Sequence, residues 1–230
     1  MIKNINQISE QAFLLDFGDN ITKKISRNVI NTFYYIFNQI QKDNFLDLKN
    51  CVPSYNKLLL QFNPAKKNKN EIFDFINAID IIEISSQIDN QEIEIPICYD
   101  EEFALDIHDV SIKTNIEENK IIESHLSTNF FVYMIGFMPG LPFMGDLNSN
   151  LNVPRLITPR VHVPARSVGI VEKFCVIYPN ESPGGWNIIG RTPTRLFFKN
   201  NKNPSLLHPG MYVKFRSISK KEFLELETII

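Results

Sequence analysis

The spacing of apolar positions changes character along the chain. In the first stretch, QAFLLDF at 11–17 predicts a strand. Gly18-Asp19-Asn20 ends it, and Asp19 or Asn20 is placed to cap a following helix. Ile21, Ile25, Val29, Phe33, Ile36, Phe37 and Ile40 then recur three and four apart, which predicts a helix with one apolar stripe. Residues 45–62 predict two strands split at Pro53-Ser54, the second being KLLLQF. After Pro64 the Lys-rich AKKNKN predicts a loop. Ile72, Phe75, Ile76 and Ile79 predict a second helix over 71–79, and IIEIS at 81–85 a short strand. Strand, helix, strand, strand, helix, strand is the order of a ferredoxin-like split βαβ arrangement. Residues 1–88 are therefore assigned to a small N-terminal α/β domain. Its sequence offers neither clustered titratable groups nor a Gly-rich phosphate loop.

QIDNQE at 87–92 is the best linker, and EIPICY opens a second domain, residues 89–230, as a strand. Residues 101–108 predict a short helix. Thr114 and Glu117 have capping-box spacing, which predicts a helix start and a run through Ile121, Ile122, His125 and Leu126. Beyond 131 the period changes. VYMIGF, VHVP, VGIV, FCVIYP, WNII and RLFF are short apolar runs bounded by proline and glycine, each too short for a helix. Several such strands at tight spacing predict a barrel or sandwich. Pro139-Gly140 suits a type II turn, and Pro183-Gly184-Gly185 a sharp turn before Trp186. MYVKF at 211–215 predicts a closing strand, and KKEFLELETII a helix or an edge strand. The fold class is α+β.

Composition narrows the function classes. Lys and Arg number 24 against 26 Asp and Glu, a net charge of −2, so bulk electrostatics gives no case for nucleic acid or an acidic membrane. Cys51, Cys98 and Cys175 are isolated, odd in number and without CxxC spacing, which argues against a disulfide framework or zinc site. A reducing cytoplasm is the simplest setting. MIKNINQISEQAF lacks a long apolar stretch, so no signal peptide is expected, and no run approaches transmembrane length.

Two catalytic look-alikes fail on context. Gly185 to Thr192 nearly spells a phosphate-binding loop, but its interior is bulky, Arg191 replaces lysine, and a strand, TPTRLFF, is expected after it. Ala165-Arg166-Ser167-Val168-Gly169 falls one residue short of a nucleophile elbow and is followed by strand-like sequence, so Ser167 is assigned to a turn. HExxH, EF-hand and carboxylate–histidine patterns are absent, and neither a metal nor a prosthetic group is expected.

What remains is a set of polar residues among the barrel runs. In TPRVHVP, strand alternation puts Arg160 and His162 on one face, with Arg166 nearby. Such a cationic group suits a carboxylate, carboxyphosphate or phosphate. A solvated face paired to Glu172 or Glu181 explains the same residues. Glu181, Trp186 and Asn187 flank the Pro-Gly-Gly segment, and Trp186 either stacks on a planar amide or caps the barrel. Arg191 adds a further cation. Phe137, Met138, Leu141, Phe143 and Met144 crowd a Gly/Pro-rich loop, which marks a partner interface or a loop folded over the barrel mouth. The interface is preferred, because no complete catalytic constellation lies within the chain.

GFMPGLPFMGDL, TPRVHVPARSVGI, YPNESPGGWNIIGRTPTRLF and LLHPGMYVKF, in that order, resemble the family that includes the B subunit of 5-oxoprolinase, the sporulation kinase inhibitor KipI and allophanate hydrolase subunit 1. The likeness covers the last two-thirds of the chain strongly and the first third weakly. Met138, Phe143 and Arg166 stand where that family usually has Ala, Tyr and often Gly. The resemblance implies a small α/β domain followed by a cyclophilin-like β-barrel. It also implies a polypeptide that works with the A and C subunits of 5-oxoprolinase to hydrolyse 5-oxo-L-proline to L-glutamate with ATP as co-substrate, and that is inactive alone. Arg160, His162, Arg166 and Arg191 would line a site shared with the C subunit, the catalytic residues being unassigned. The same resemblance leaves two rivals: a kinase-inhibiting binding protein without catalysis, and a subunit of allophanate hydrolase or urea carboxylase. A peptidyl-prolyl isomerase is a poor fourth, since fold does not fix function.

Overall fold

The computed structural model describes residues 2–42, 47–63, 65, 69–79 and 91–229. The chain divides into two compact units, Met1–Asp89 and Asn90–Ile230.

The first unit holds β1 (Asn4–Ser9), β2 (Ala12–Asp16), α1 (Lys23–Lys42), β3 (Leu48–Ser54), β4 (Lys57–Phe62) and α2 (Lys69–Asn77). The sheet order is β1-β2-β4-β3, with every pair antiparallel. Strand β4 lies between β2 and β3, so β2-α1-β3 is a split βαβ unit. The stripe on α1 works as its spacing implies: Val29 and Ile36 are buried in a core with Leu15, Leu58 and Leu60. Strand β1 has no counterpart in the apolar pattern. Its sequence, NINQIS, is almost wholly exposed, so it shows no apolar alternation and is held by its backbone pairing to β2. It occupies the edge of β2. The strand expected at 81–85 lies outside the described residues, as does most of the expected linker.

The second unit is built on seven strands: β5 (Glu92–Ile97), β6 (Phe130–Ile135), β7 (Pro142–Gly145), β9 (Ser167–Val171), β10 (Phe174–Ile177), β12 (Asn187–Arg191) and β13 (Tyr212–Ser217). They form one sheet in the order β12-β9-β10-β7-β6-β13-β5. The two ends of the sheet meet. Cys98, just beyond β5, exchanges backbone hydrogen bonds with Arg191 of β12 at 2.8 and 3.0 Å. The sheet is thereby bent into a nearly closed barrel. Gly190 permits this approach, because a Cβ there would stand 2.8 Å from the Cys98 carbonyl oxygen.

Alternation along the strands builds two cores. Cys175 and Ile177 of β10, with Met144 and Ile170, point into the barrel. Val176 and Tyr178 point outward and join Leu141, Val163, Trp186 and Ile188 in a second cluster. A two-stranded ribbon, β8 (Arg160–Val163) with β11 (Ser182–Gly184), contributes Val163 to that outer cluster. Both faces of β9 and β10 are therefore covered, which explains why SVGIV is an unbroken buried run.

Helices α3 (Ile107–Thr114), α4 (Glu118–Ser127) and α5 (Lys220–Ile229) and a 3₁₀ turn at Ser149–Leu151 complete this unit. Four local expectations are corrected. The helix placed at 101–108 starts at Ile107. The capping box does not form: Thr114 ends α3, where its hydroxyl donates to the Val110 carbonyl, and Asn115 takes the left-handed conformation. RLFF is not a strand. Pro193 and a side-chain turn, in which the Thr194 amide donates to the Thr192 hydroxyl, precede a single bridge from Phe197 to Ser205. The Pro-Gly-Gly segment is β11 rather than a sharp turn, and Gly184 makes room for the Tyr178 hydroxyl, which a Cβ would meet at 2.3 Å. The type II turn does form: the Leu141 amide donates to the Met138 carbonyl and Gly140 has φ +81°.

Candidate functional site

The candidate residues sort into four small arrangements, all in the second unit. The first is buried. Arg160 donates two hydrogen bonds to Asp106, at 2.8 and 2.5 Å, and the Asp106 side chain is only 2% exposed. Asp106 also accepts the Ile188 amide at 2.6 Å, while its own amide donates to the Ile188 carbonyl at 2.8 Å. One carboxylate thus ties the start of α3, strand β12 and the ribbon together. The sequence offered Arg160 no counter-charge because Asp106 lies far away along the chain.

The second arrangement is exposed. His162 Nδ1 lies 3.0 Å from Glu181 Oε1 across the β8–β11 ribbon. Of the two explanations open for His162, the pairing to Glu181 is the one present. Arg160 and His162 share a strand but not an environment, since Arg160 is spent on Asp106. Val161 is exposed where Val163 is buried.

The third arrangement joins Arg166 and Arg191. Both pair with the carboxylate of Glu227 on α5, Arg191 at 3.7 Å and Arg166 more closely. Arg166 Nη1 also donates to the Pro193 carbonyl at 3.2 Å, and Arg191 Nε to the Ala165 carbonyl at 2.9 Å. Phe103 and Phe223 flank the Arg191 guanidinium. Burial pulls Arg191 below its ordinary pKa, against the opposing pull of Glu227.

The fourth surrounds Trp186. The indole is 7% exposed, meets Phe143 edge-on at 5.9 Å, and has the Arg155 guanidinium 5.5 Å from its centre. It is a core residue with one cationic neighbour, closer to the capping explanation than to an open stacking platform. Asn187 is wholly buried. Its amide donates to the Pro154 and Ile170 carbonyls at 2.9 and 3.2 Å, and its oxygen accepts from Lys113 at 3.2 Å. Those bonds tie Pro154, β9 and α3 to β12.

The interface set divides. Phe137 is 70% exposed, on a residue with φ +69°. Met138 and Phe143 are half-buried against the outer cluster. Leu141 and Met144 are corrected: both are buried within this chain, Leu141 in the outer cluster and Met144 in the barrel core, because Met144 belongs to strand β7 and not to a loop.

One polar cluster has no signature in the sequence. His125 is fully buried among Phe130 and Phe215, with Tyr99 Oη 2.7 Å from Nδ1 and Cys175 Sγ 3.5 Å from Nε2. Burial lowers its pKa to about 3 and raises those of Tyr99 and Cys175. The three residues belong to separate elements, so no spacing along the chain announces them. Among the described residues no group of three or more His, Cys, Asp or Glu side chains could hold a metal ion. No described helix is long and apolar enough to cross a membrane.

Over residues 3–207 the sequence matches the family described as carboxyltransferase domain, subdomain C and D. The chain belongs to this carboxyltransferase-domain family. Within it, the chain is 30% identical to the 5-oxoprolinase B subunit of Bacillus subtilis, a match covering 95% of this chain and 94% of that protein. Among solved structures, TTHA0988 superposes at TM-score 0.79 with 26% identity over 90% of this chain. This carboxyltransferase-domain chain spans 40% of that solved chain. The urea carboxylase of Kluyveromyces lactis shares the fold, with TM-score 0.68 at 18% identity over 96% of this chain and 22% of that one.

Proposed function

We propose that this chain is the B subunit of an ATP-dependent 5-oxoprolinase, acting with the A and C subunits in the cytoplasm to open 5-oxo-L-proline to L-glutamate. The observation that carries the reading is the match to a 5-oxoprolinase B subunit over 95% of this chain and 94% of that protein. The urea carboxylase likeness, at 18% identity, speaks only for fold and supports the amide-hydrolysing rival less well. In this proposal the domains are 1–88, ferredoxin-like, and 89–230, a cyclophilin-like barrel.

A γ-lactam is a stable amide, and ATP would activate its carbonyl by phosphorylation before water attacks. The residues of this chain contribute binding rather than a nucleophile. Arg160 and Asn187, spent on internal bonds, keep the ribbon and β12 in register. Arg166 and Arg191 supply positive charge for a substrate carboxylate or developing oxyanion. His162 and Glu181, paired at the ribbon surface, offer polar contacts to a substrate, and Trp186 completes the outer cluster beneath the ribbon. Phe137 and Met138 face the partner polypeptide. Co-expression with the A and C subunits, followed by ATP-dependent glutamate release with and without this chain, tests the proposal. Release that needs this chain supports it, and release at full rate without it overturns it.

A further inference from the structure

Arg166 and Arg191 lie side by side where β9 begins and β12 ends, Arg191 being the register partner of Ser167, and both reach one carboxylate. Each guanidinium is anchored by a backbone carbonyl, Arg166 by Pro193 at 3.2 Å and Arg191 by Ala165 at 2.9 Å. Phe103 and Phe223 further fix Arg191, their ring centres lying 5.9 and 5.7 Å from it. Two preoriented planar cations therefore share one paired carboxylate, Glu227, while Glu102 acts on Arg191 from further away. A simple structural ion pair needs one cation, and a second brought beside it repels the first. The two arginine side chains, 19% and 24% exposed, thus present two paired cations to one hydrogen-bonded carboxylate at a place that excludes much of the solvent.

The backbone gives a second, independent sign. Arg166 has φ +67°, a region that glycine enters freely and arginine does not. The surroundings impose this conformation: the Arg166 amide donates to the Tyr178 carbonyl at 2.5 Å, and its carbonyl accepts from the Thr192 amide at 3.0 Å. A glycine would satisfy the same backbone bonds without strain. An arginine here is explained by what its guanidinium does.

Glu227 is held differently from the rest of α5. Near the start of the helix, Phe223 is fully buried and packs on Phe103 with ring centres 4.4 Å apart, and Lys220 pairs with Glu102 at 2.7 Å. Glu227 lies one turn further on, and its carboxylate is 31% exposed. Leu226 beside it packs against the Phe103–Phe223 cluster, so release of Glu227 would loosen only the end of α5.

We propose that Arg166 and Arg191 form a binding site for a small carboxylate, which Glu227 occupies as an internal stand-in until a ligand displaces it. α5 is then a strap whose release reports ligand binding. This rests on the carboxylate-binding role proposed above for the two arginines and adds Glu227 as its internal competitor; it is tested without lactam, ATP or partner polypeptides, so its failure is distinct from failure of the oxoprolinase reading.

The test uses the purified chain and Glu227→Gln, each titrated with acetate and separately with inorganic phosphate. Binding is read from arginine side-chain resonances, and strap opening from amide exchange in α5. Glu227→Gln is expected to bind acetate roughly ten-fold more tightly than the natural chain, as befits removal of a competing charge-assisted bond. In the natural chain, saturating acetate is expected to speed exchange at the end of α5. Adding Arg166→Gly to Glu227→Gln keeps the backbone unstrained and is expected to abolish the gain. Equal acetate affinity in the natural and Glu227→Gln chains overturns the proposal, and so does a gain that survives Arg166→Gly. A gain with phosphate but none with acetate overturns the carboxylate assignment.

Discussion

Asp106 and Arg160 share two hydrogen bonds, of 2.8 and 2.5 Å, across 54 residues of sequence, and the carboxylate is almost fully buried. The pair fixes the β8–β11 ribbon, and with it the outer cluster, to the barrel. Arg160→Ala strands a buried carboxylate and is expected to cost about 3–5 kcal/mol of stability. Removing both partners, as Asp106→Ala with Arg160→Ala, is expected to cost less than the two single changes added together. Urea unfolding of the four proteins in the cycle checks both statements. Additive effects would mean that the two side chains act independently.

His125 makes stability depend on pH. Its folded pKa, about 3, lies below the ordinary histidine value because the ring is buried among aromatic residues. The fold therefore holds the neutral ring, while the unfolded chain takes up a proton as the pH falls through about 6.5. The contribution is complete above that pH and is lost on acidification towards pH 3, at about 1.4 kcal/mol per pH unit for one proton. His125→Phe removes this dependence. The slope of unfolding free energy against pH between 4 and 6 is expected to be shallower in the variant, and identical slopes would rule out the histidine as its source.

Gly190 sits where the two ends of the barrel sheet meet. A methyl group there would stand 2.8 Å from the Cys98 carbonyl oxygen and 2.9 Å from Ile97. The first neighbour is backbone and cannot rotate aside. Gly190→Ala is expected to destabilise by about 1–3 kcal/mol, the usual cost of overpacking. It is also expected to speed exchange of the Cys98 and Arg191 amides. An unchanged melting temperature would show that the barrel closes without this contact.

Much of the second unit was legible because its strands are short, apolar and bounded by breakers, as at β6, β9, β10, β12 and β13. α1 was equally plain from its stripe. The failures have physical reasons. β1 is an exposed edge strand, held by backbone bonds that any side chains permit. β11 is Ser-Pro-Gly, a composition that signals a turn until a neighbouring ribbon strand pairs with it. In the candidate site, residue types were readable but partners were not. Arg160 finds Asp106, and Arg166 finds Glu227, only after the chain has crossed between elements. Tyr99, His125 and Cys175 meet inside the barrel by the same route. Local spacing carries no record of such encounters.

The measurement that bears most directly on the proposed role is ATP-dependent release of glutamate from 5-oxo-L-proline by the A and C subunits, assayed with this chain present and absent. The account predicts turnover only when all three polypeptides are combined, and none from this chain alone. Full turnover by the other two without it would contradict the account, as would turnover by this chain in isolation.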